Sequence, residues 1–297
     1  MPEDFIPQST ADGSFTFFSK EFEESYHSQF GARQESFQKF VVPTRLEVVA
    51  TASKQKTIRI LDICYGLGYN TAAALQTIWK SNPDCRVEVI GLEFNPAVPR
   101  AALSHNLYAD WNFEYIDILT ELANTHYVEN DNLKASLLIG DARTTIKQLS
   151  QSFQADAIFL DPFSPPQCPQ LWTIEFIALV SQCLHSEGLL ATYSCSAAVR
   201  TALLTSGLII ASTPPVGRKT PGTVAAYPNS LQFLTQHPLS TAELEHLHTR
   251  AAIPYRDPLL QDQAQIILER RQLEQRNSQL ETTSSWRKRC LSQNSNA

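Results

Sequence analysis

None of the six cysteines forms a C-x-x-C pair, and none joins a histidine at zinc-ligand spacing. That excludes the common zinc modules and points to small buried hydrophobes in a reducing compartment, with no metal expected. No apolar run approaches the ~20 residues a membrane helix needs. The opening "MPEDFIPQST" is acidic and broken by prolines, unlike a secretory leader, so a cytoplasmic location with no membrane partner is expected. Positive charge is also scarce. With a formal net charge of −6, a nucleic-acid partner would have to be met by a local basic patch. Two phosphate-binding signatures are missing as well. "LDICYGLGYNT", residues 61–71, has no third glycine to complete G-x-G-x-x-G, and no Gly-Lys-Ser/Thr comes after it to make a P-loop.

What is present is alternation. "IRILDIC" leads to "TAAALQTIW", "RVEVIGLEF" to "PAVPRAALSHN", and "ASLLIGD" to "ARTTIKQLSQ". "DAIFLD" then leads to "WTIEFIALVSQCL", and "GLLATYS" to "AAVRTALLTSG". Such alternation means βαβ units and a parallel sheet covered by helices on both faces. The series closes differently, because only "GRKTP" separates "LIIASTPPV" from "GTVAAY", which suits an antiparallel hairpin. This order resembles that of the Rossmann-like, class I S-adenosylmethionine-dependent methyltransferase fold, which implies an α/β architecture whose seven-stranded sheet ends in an antiparallel strand. Three parts are expected: an N-terminal hairpin and cover (residues 1–56), the core (57–227) and a C-terminal helical extension (228–297). In the extension Leu259, Ile266, Leu273 and Leu280 recur every seven residues. One helix laying that stripe on the body is expected ahead of a coiled-coil dimer.

Sheets of this kind bind ligands at the carboxyl ends of their strands, at the point where strand order reverses. Gly66 and Gly68 would let the backbone approach a ligand that a side chain would block. Asp62-x-Cys64-x-Gly66-x-Gly68 is close to the D-x-G-x-G-x-G of S-adenosylmethionine sites, with Cys64 in place of the first glycine. Glu93 ends the second β run, where an acid accepts hydrogen bonds from the two ribose hydroxyls. Asp141 in "IGDAR" ends the third, where methyltransferases place an acid that meets the adenine amine. Taken singly, either acid is as readily a helix N-cap. Three such features in order at successive strand ends point to one ligand, and the turn itself suits the amino-acid end of S-adenosylmethionine.

The fourth β run ends in "FLDPFSPPQCPQLW", residues 159–172. Methyl transfer is an in-line displacement by a neutral nucleophile. A carboxylate such as Asp161 can orient an amine and take its departing proton, while a ring such as Phe163 can face a cationic centre or stack on a base. The plainer alternative for Asp161 is a turn residue before a proline-rich loop.

The longer stretch "LDPFSPPQCPQLWTIEFIALVSQCLHSEGLLATYSCSAAVRTALLTSG" resembles the L-D-G-F-A-P-x-x-N-P-x-M-W-T segment of the MnmC-like tRNA methyltransferases, with its adjoining helix and strand. "DGSFTFFSKEFEESYHSQFGARQES" is similar to that family's N-terminal D-G-(S/T)-x-T-x-x-S…Y-x-S…G-x-x-E-(S/T), and "GLGYN" to its G-T-G-L-N. Pro162 and Ser164 replace a glycine and an alanine of the family loop, and "TPGTVA" replaces the end of its G-R-K-R-E-M-L. The resemblance covers roughly residues 11–226. It implies methylation of the amine of 5-aminomethyl-2-thiouridine at the tRNA wobble position, on a substrate supplied by upstream wobble-modification enzymes. It also implies a stand-alone form without the flavin oxidoreductase domain of the bifunctional members. By the same resemblance Tyr26, His27 and Glu35 cover the cofactor, while Tyr65, Asn70 and Ala142 join Gly66, Gly68, Glu93 and Asp141 around it. Arg218 and Lys219 would contact phosphate, unless they are solvated charges at a hairpin tip.

Residues 265–297 carry a surplus of three positive charges, which suits a local tRNA-binding element or simply solvated helix ends. A spermidine synthase-like aminopropyltransferase and a small-molecule amine methyltransferase use the same fold and stay as alternatives. So does a non-catalytic fold member. The oligomeric state is left open.

Overall fold

The computed structural model describes residues 5–52, 57–109, 113–149, 153–216, 220–234 and 237–294. Strands β1 (Pro7–Ser9), β2 (Phe15–Ser19) and β3 (Glu24–Ser25) make a small antiparallel sheet, so the N-terminal hairpin carries a third strand. Eight more strands, among the described residues, form the central sheet. They are β4 (Ile58–Ile63), β5 (Val87–Glu93), β6 (Tyr127–Glu129), β7 (Leu133–Ile139), β8 (Ala155–Leu160), β9 (Leu184–Thr192), β10 (Ile209–Ser212) and β11 (Thr223–Ala226). Their spatial order is β10-β11-β9-β8-β4-β5-β7-β6. The sheet is thus one strand larger than the expected seven. The addition is β6, which pairs antiparallel with β7 and, at three residues, is too short to show a period in the sequence. β11 runs antiparallel to both β9 and β10, as the closing hairpin requires.

Alternate side chains along each strand enter two different cores, as a pleated sheet covered on both faces demands. Ile58 and Ile60 of β4 join Val87 and Val89 of β5 on one face. Leu61 and Ile63 join Leu92 and Leu160 on the other. The helix Phe113–Thr125, for which the sequence reading makes no provision, packs Ile118, Leu119 and Leu122 into the first of these cores.

β4 is flanked by β5 on one side and β8 on the other, so the strand order reverses here. The turn after β4 and the loop after β8 therefore open side by side at the carboxyl edge. The N-terminal segment reaches the same edge. Its helix Ala32–Glu35 runs on into a π-helical turn, Ser36–Val41. From that turn Phe40 meets Phe159 edge-on at 5.9 Å, and buried Lys39 donates to the carbonyls of Pro214 and Thr220 at 3.4 Å.

The C-terminal extension corrects one expectation. Its helix Ala264–Asn277 does lie on the body, but through Ile267, Leu268 and the preceding Leu260. The seven-residue stripe faces solvent instead, with Leu259 71% and Leu273 59% exposed.

Candidate active site

A cavity of about 680 Å³ opens at the carboxyl edge of the sheet, within the range that small-molecule and cofactor sites take. Tyr26, Glu35, Tyr65, Gly66, Glu93, Asp141, Ala142, Asp161 and Phe163, all expected as site residues, line it together with His27. Gly68 and Asn70 stand behind the wall rather than in it. Arg218 and Lys219 lie outside the described residues.

The glycine turn is built by backbone conformation. Cys64, Gly66 and Gly68 all have positive φ, at 67°, 55° and 81°. Cys64 holds this left-handed geometry although it carries a side chain, at a strain on the order of 1 kcal/mol. Its N–H and that of Tyr65 both donate to the Leu92 carbonyl, at 3.0 and 2.9 Å, and so fix the conformation. Gly68 serves Tyr65 rather than a ligand, because a Cβ there would stand 2.5 Å from the Tyr65 hydroxyl oxygen. Beneath the turn, fully buried Asp62 accepts a 2.7 Å hydrogen bond from the Thr71 hydroxyl. Burial pushes the Asp62 carboxyl up to about 7, against the pull of that bond.

Two carboxylates stand at successive strand ends. Glu93 ends β5, with Oε2 receiving the Gly66 N–H at 2.8 Å and Oε1 the Asn95 N–H at 2.8 Å. Glu93 so held also lines the cavity. Asp141, just past β7, caps the helix Ala142–Thr145 by accepting from the Arg143 N–H at 2.9 Å. It also holds the Arg143 guanidinium, with Nη2–Oδ2 at 2.7 Å. Burial raises the Asp141 carboxyl, but the Arg143 hydrogen bonds and charge outweigh it and hold it below the usual range.

The loop after β8 is fixed from four sides. The Asp161 N–H continues the sheet by donating to the Ile63 carbonyl at 3.2 Å. The Tyr193 hydroxyl donates to the Pro162 carbonyl at 2.9 Å, and the Trp172 indole N–H to the Phe163 carbonyl at 2.8 Å. Glu24 of β3 accepts from the Ser164 N–H at 2.8 Å and from the Ser164 hydroxyl. Asn70 Nδ2 donates to Asp161 Oδ2 at 2.9 Å, so Asn70 sets the carboxylate that lines the cavity. The Phe163 ring is held by the N-terminal segment, stacked on Phe22 at 4.4 Å and edge-on to Tyr26 at 5.0 Å. Phe22, Glu24 and Tyr193 escaped the sequence reading because their partners are distant along the chain.

His27 is buried beside this loop, stacked on Tyr69 at 5.3 Å. Burial pushes its imidazole down to about 4, which leaves it neutral near pH 7 and a weak base. Its Nδ1 has no hydrogen-bond partner among the described residues. No group of three or more His, Cys, Asp or Glu among those residues is arranged to hold a metal ion, and no helix among them is long and apolar enough to cross a membrane.

A glycine turn bound to a strand-end glutamate, with acids after the next strands and an unpartnered buried imidazole, fits an S-adenosylmethionine molecule: acceptors for a diol, close backbone for an amino acid, carboxylates near a sulfonium. The chain is a class I S-adenosylmethionine-dependent methyltransferase, and the sequence profile of the S-adenosyl-L-methionine-dependent methyltransferase family matches residues 103–228. MnmC2 from Aquifex aeolicus, seen in a crystal structure, is 36% identical to it, with a TM-score of 0.78 over 93% of this chain and 87% of that one. An uncharacterized protein of Methanocaldococcus jannaschii is 29% identical over 88% of this chain and 69% of its own length. The tRNA 5-methylaminomethyl-2-thiouridine biosynthesis bifunctional protein MnmC of Ralstonia nicotianae is 28% identical over 77% of this chain. There the match spans 36% of the relative, so this chain corresponds to about a third of that bifunctional protein. Within its class the chain belongs to the MnmC family, and it is MnmC2-like.

Proposed function

We propose that the chain methylates the primary amine of a 5-aminomethyl group on the wobble uridine of tRNA, giving the 5-methylaminomethyl nucleoside. The substrate class is supported by the relatives named for tRNA 5-methylaminomethyl-2-thiouridine biosynthesis. The observation that carries the chemistry is Asp161, set in the cavity wall by Asn70 and next but one to the clamped Phe163 ring.

When bound, S-adenosylmethionine supplies an electrophilic methyl group on a sulfonium. Glu93 would receive its ribose hydroxyls and Asp141, with Ala142, its adenine. Tyr26, Glu35, Tyr65 and Gly66 would enclose its amino-acid end, with Gly68 and Asn70 supporting them from behind. Asp161 accepts a hydrogen bond from the neutral substrate amine and aims its lone pair. As nitrogen gains the methyl group it becomes cationic, and Asp161 takes the proton that leaves it. Phe163 offers a face on which the modified uracil stacks. Arg218 and Lys219 would meet the flanking phosphates. An upstream enzyme must install the aminomethyl group.

The test is methyl transfer from labelled S-adenosylmethionine to tRNA bearing 5-aminomethyluridine, with unmodified tRNA and putrescine as controls. Label is expected only in the aminomethylated tRNA. Asp161→Ala should lose at least a hundredfold in rate while still binding the donor. Label in putrescine, or undiminished transfer by Asp161→Ala, would overturn the reading.

A further inference from the structure

The C-terminal extension touches the cavity wall through one fully buried carboxylate. Asp257, 0% exposed, accepts from Arg143 Nη1 at 2.8 Å through Oδ2. Its Oδ1 receives the backbone N–H groups of Gln261 and Asp262 at 3.1 and 3.2 Å. The Asp262 carbonyl accepts a second 2.8 Å bond from Arg143 Nη1. The opposite edge of the same guanidinium, Nε and Nη2, grips Asp141 at 2.7 to 3.1 Å. Arg143 is thus held on both edges, one by the extension and one by a cavity residue.

The chemistry of this arrangement is specific. A guanidinium is a planar fork, so fixing one edge fixes the direction in which the other points. Because one positive charge is shared between two carboxylates, Asp141 keeps more of its negative charge than in an isolated pair and remains a strong acceptor. Without Asp257 the guanidinium would keep Asp141 as its one carboxylate partner, and the Asp262 carbonyl alone would hold its other edge.

We infer that Asp257 is a positioning residue for donor binding, acting through Arg143 on the Asp141 carboxylate. The inference rests on the reading that Asp141 meets the donor's adenine. It makes the extension part of the donor site.

The test is a double-mutant cycle in S-adenosylmethionine binding, read by titration calorimetry on the full chain. It compares wild type, Asp141→Asn, Asp257→Asn and the double variant. Asp257→Asn is expected to raise the donor Kd about tenfold alone, and less than twofold once Asp141→Asn is present. In turnover the effect should fall on the donor KM rather than on kcat. Equal losses in both backgrounds would mean a merely structural role and would overturn the inference. If Asp141→Asn itself binds the donor like wild type, the reading of Asp141 fails and takes the inference with it. Should Asp257→Asn not fold, Arg143→Lys, which keeps the charge but loses the fork, replaces it in the cycle. Wild-type donor affinity in Arg143→Lys would equally overturn the inference.

Discussion

Asp62 shows how a single buried acid sets a pH dependence. Its folded carboxyl titrates at about 7, against an ordinary value of 3.8, because burial disfavours the charged form. The unfolded chain releases this proton first, so the contribution to stability is complete below about pH 4 and is lost as the pH rises to about 7. His27 acts in the opposite sense. Its folded imidazole titrates at about 4, so it takes stability away as the pH falls from 6.5 toward 4. Asp62→Asn, which keeps an acceptor for Thr71 and cannot ionise, removes only the first effect. Relative to wild type it should gain on the order of 1 kcal/mol per pH unit between pH 4 and 7. Denaturant titrations across that range measure it, and a difference independent of pH would contradict the assignment. Cys64 belongs to the same scale. Its departure from glycine in the motif is met by a left-handed backbone that two hydrogen bonds to Leu92 hold in place.

At the scale of elements, β3 and the residues before it act as a strap across the loop after β8. Glu24 fixes Ser164, and Phe22 stacks on Phe163 for about 0.5–1.5 kcal/mol beyond the area it buries. Glu24→Gln keeps the size but weakens acceptance from the Ser164 N–H and hydroxyl. It is expected to lower kcat about tenfold with donor affinity unchanged, since on the proposed reading Glu93 and Asp141, and not Glu24, receive the donor's adenosine. Single-turnover methyl transfer at saturating donor tests this, and a loss confined to donor binding would refute it. The elements that the sequence made legible are those with their own period: the five parallel strands and the closing hairpin. β6 was too short to have one. The strap could not be foreseen because its partner lies 140 residues away, and nothing local in "EFEES" points to it. The stripe of Leu259, Ile266, Leu273 and Leu280 was visible, but spacing reports a shared face and not what that face meets. Asp141 proved to be the helix cap that was the plain alternative, and it also lines the cavity.

Across the whole molecule, charge is spent internally. Of the basic residues in the extension, Arg270 binds Asp262, Arg271 covers the Tyr255 ring at 4.4 Å, and Arg289 pairs with Glu245 and Glu281. Arg200, buried in the body, ties Glu243 of the extension at 2.8 Å; burial raises that carboxyl, but the hydrogen bonds around it bring it down to about 2. A chain of net charge −6 in which these arginines are so engaged offers few sites for phosphate. The affinity for tRNA should therefore depend weakly on salt, with a log–log slope of magnitude below about 4 between 50 and 200 mM. Filter binding across that range measures the slope, and a steeper one would return the extension to a direct RNA-binding role. The two clamps on the cavity also bear on the order of synthesis. Glu24 leaves the ribosome 140 residues before the serine it grips, and Arg143 leaves 114 residues before Asp257. At about 5–20 residues per second each waits several seconds or more for its partner. The nascent chain carries its glycine turn early, yet its cavity wall is braced only after Asp257 has emerged.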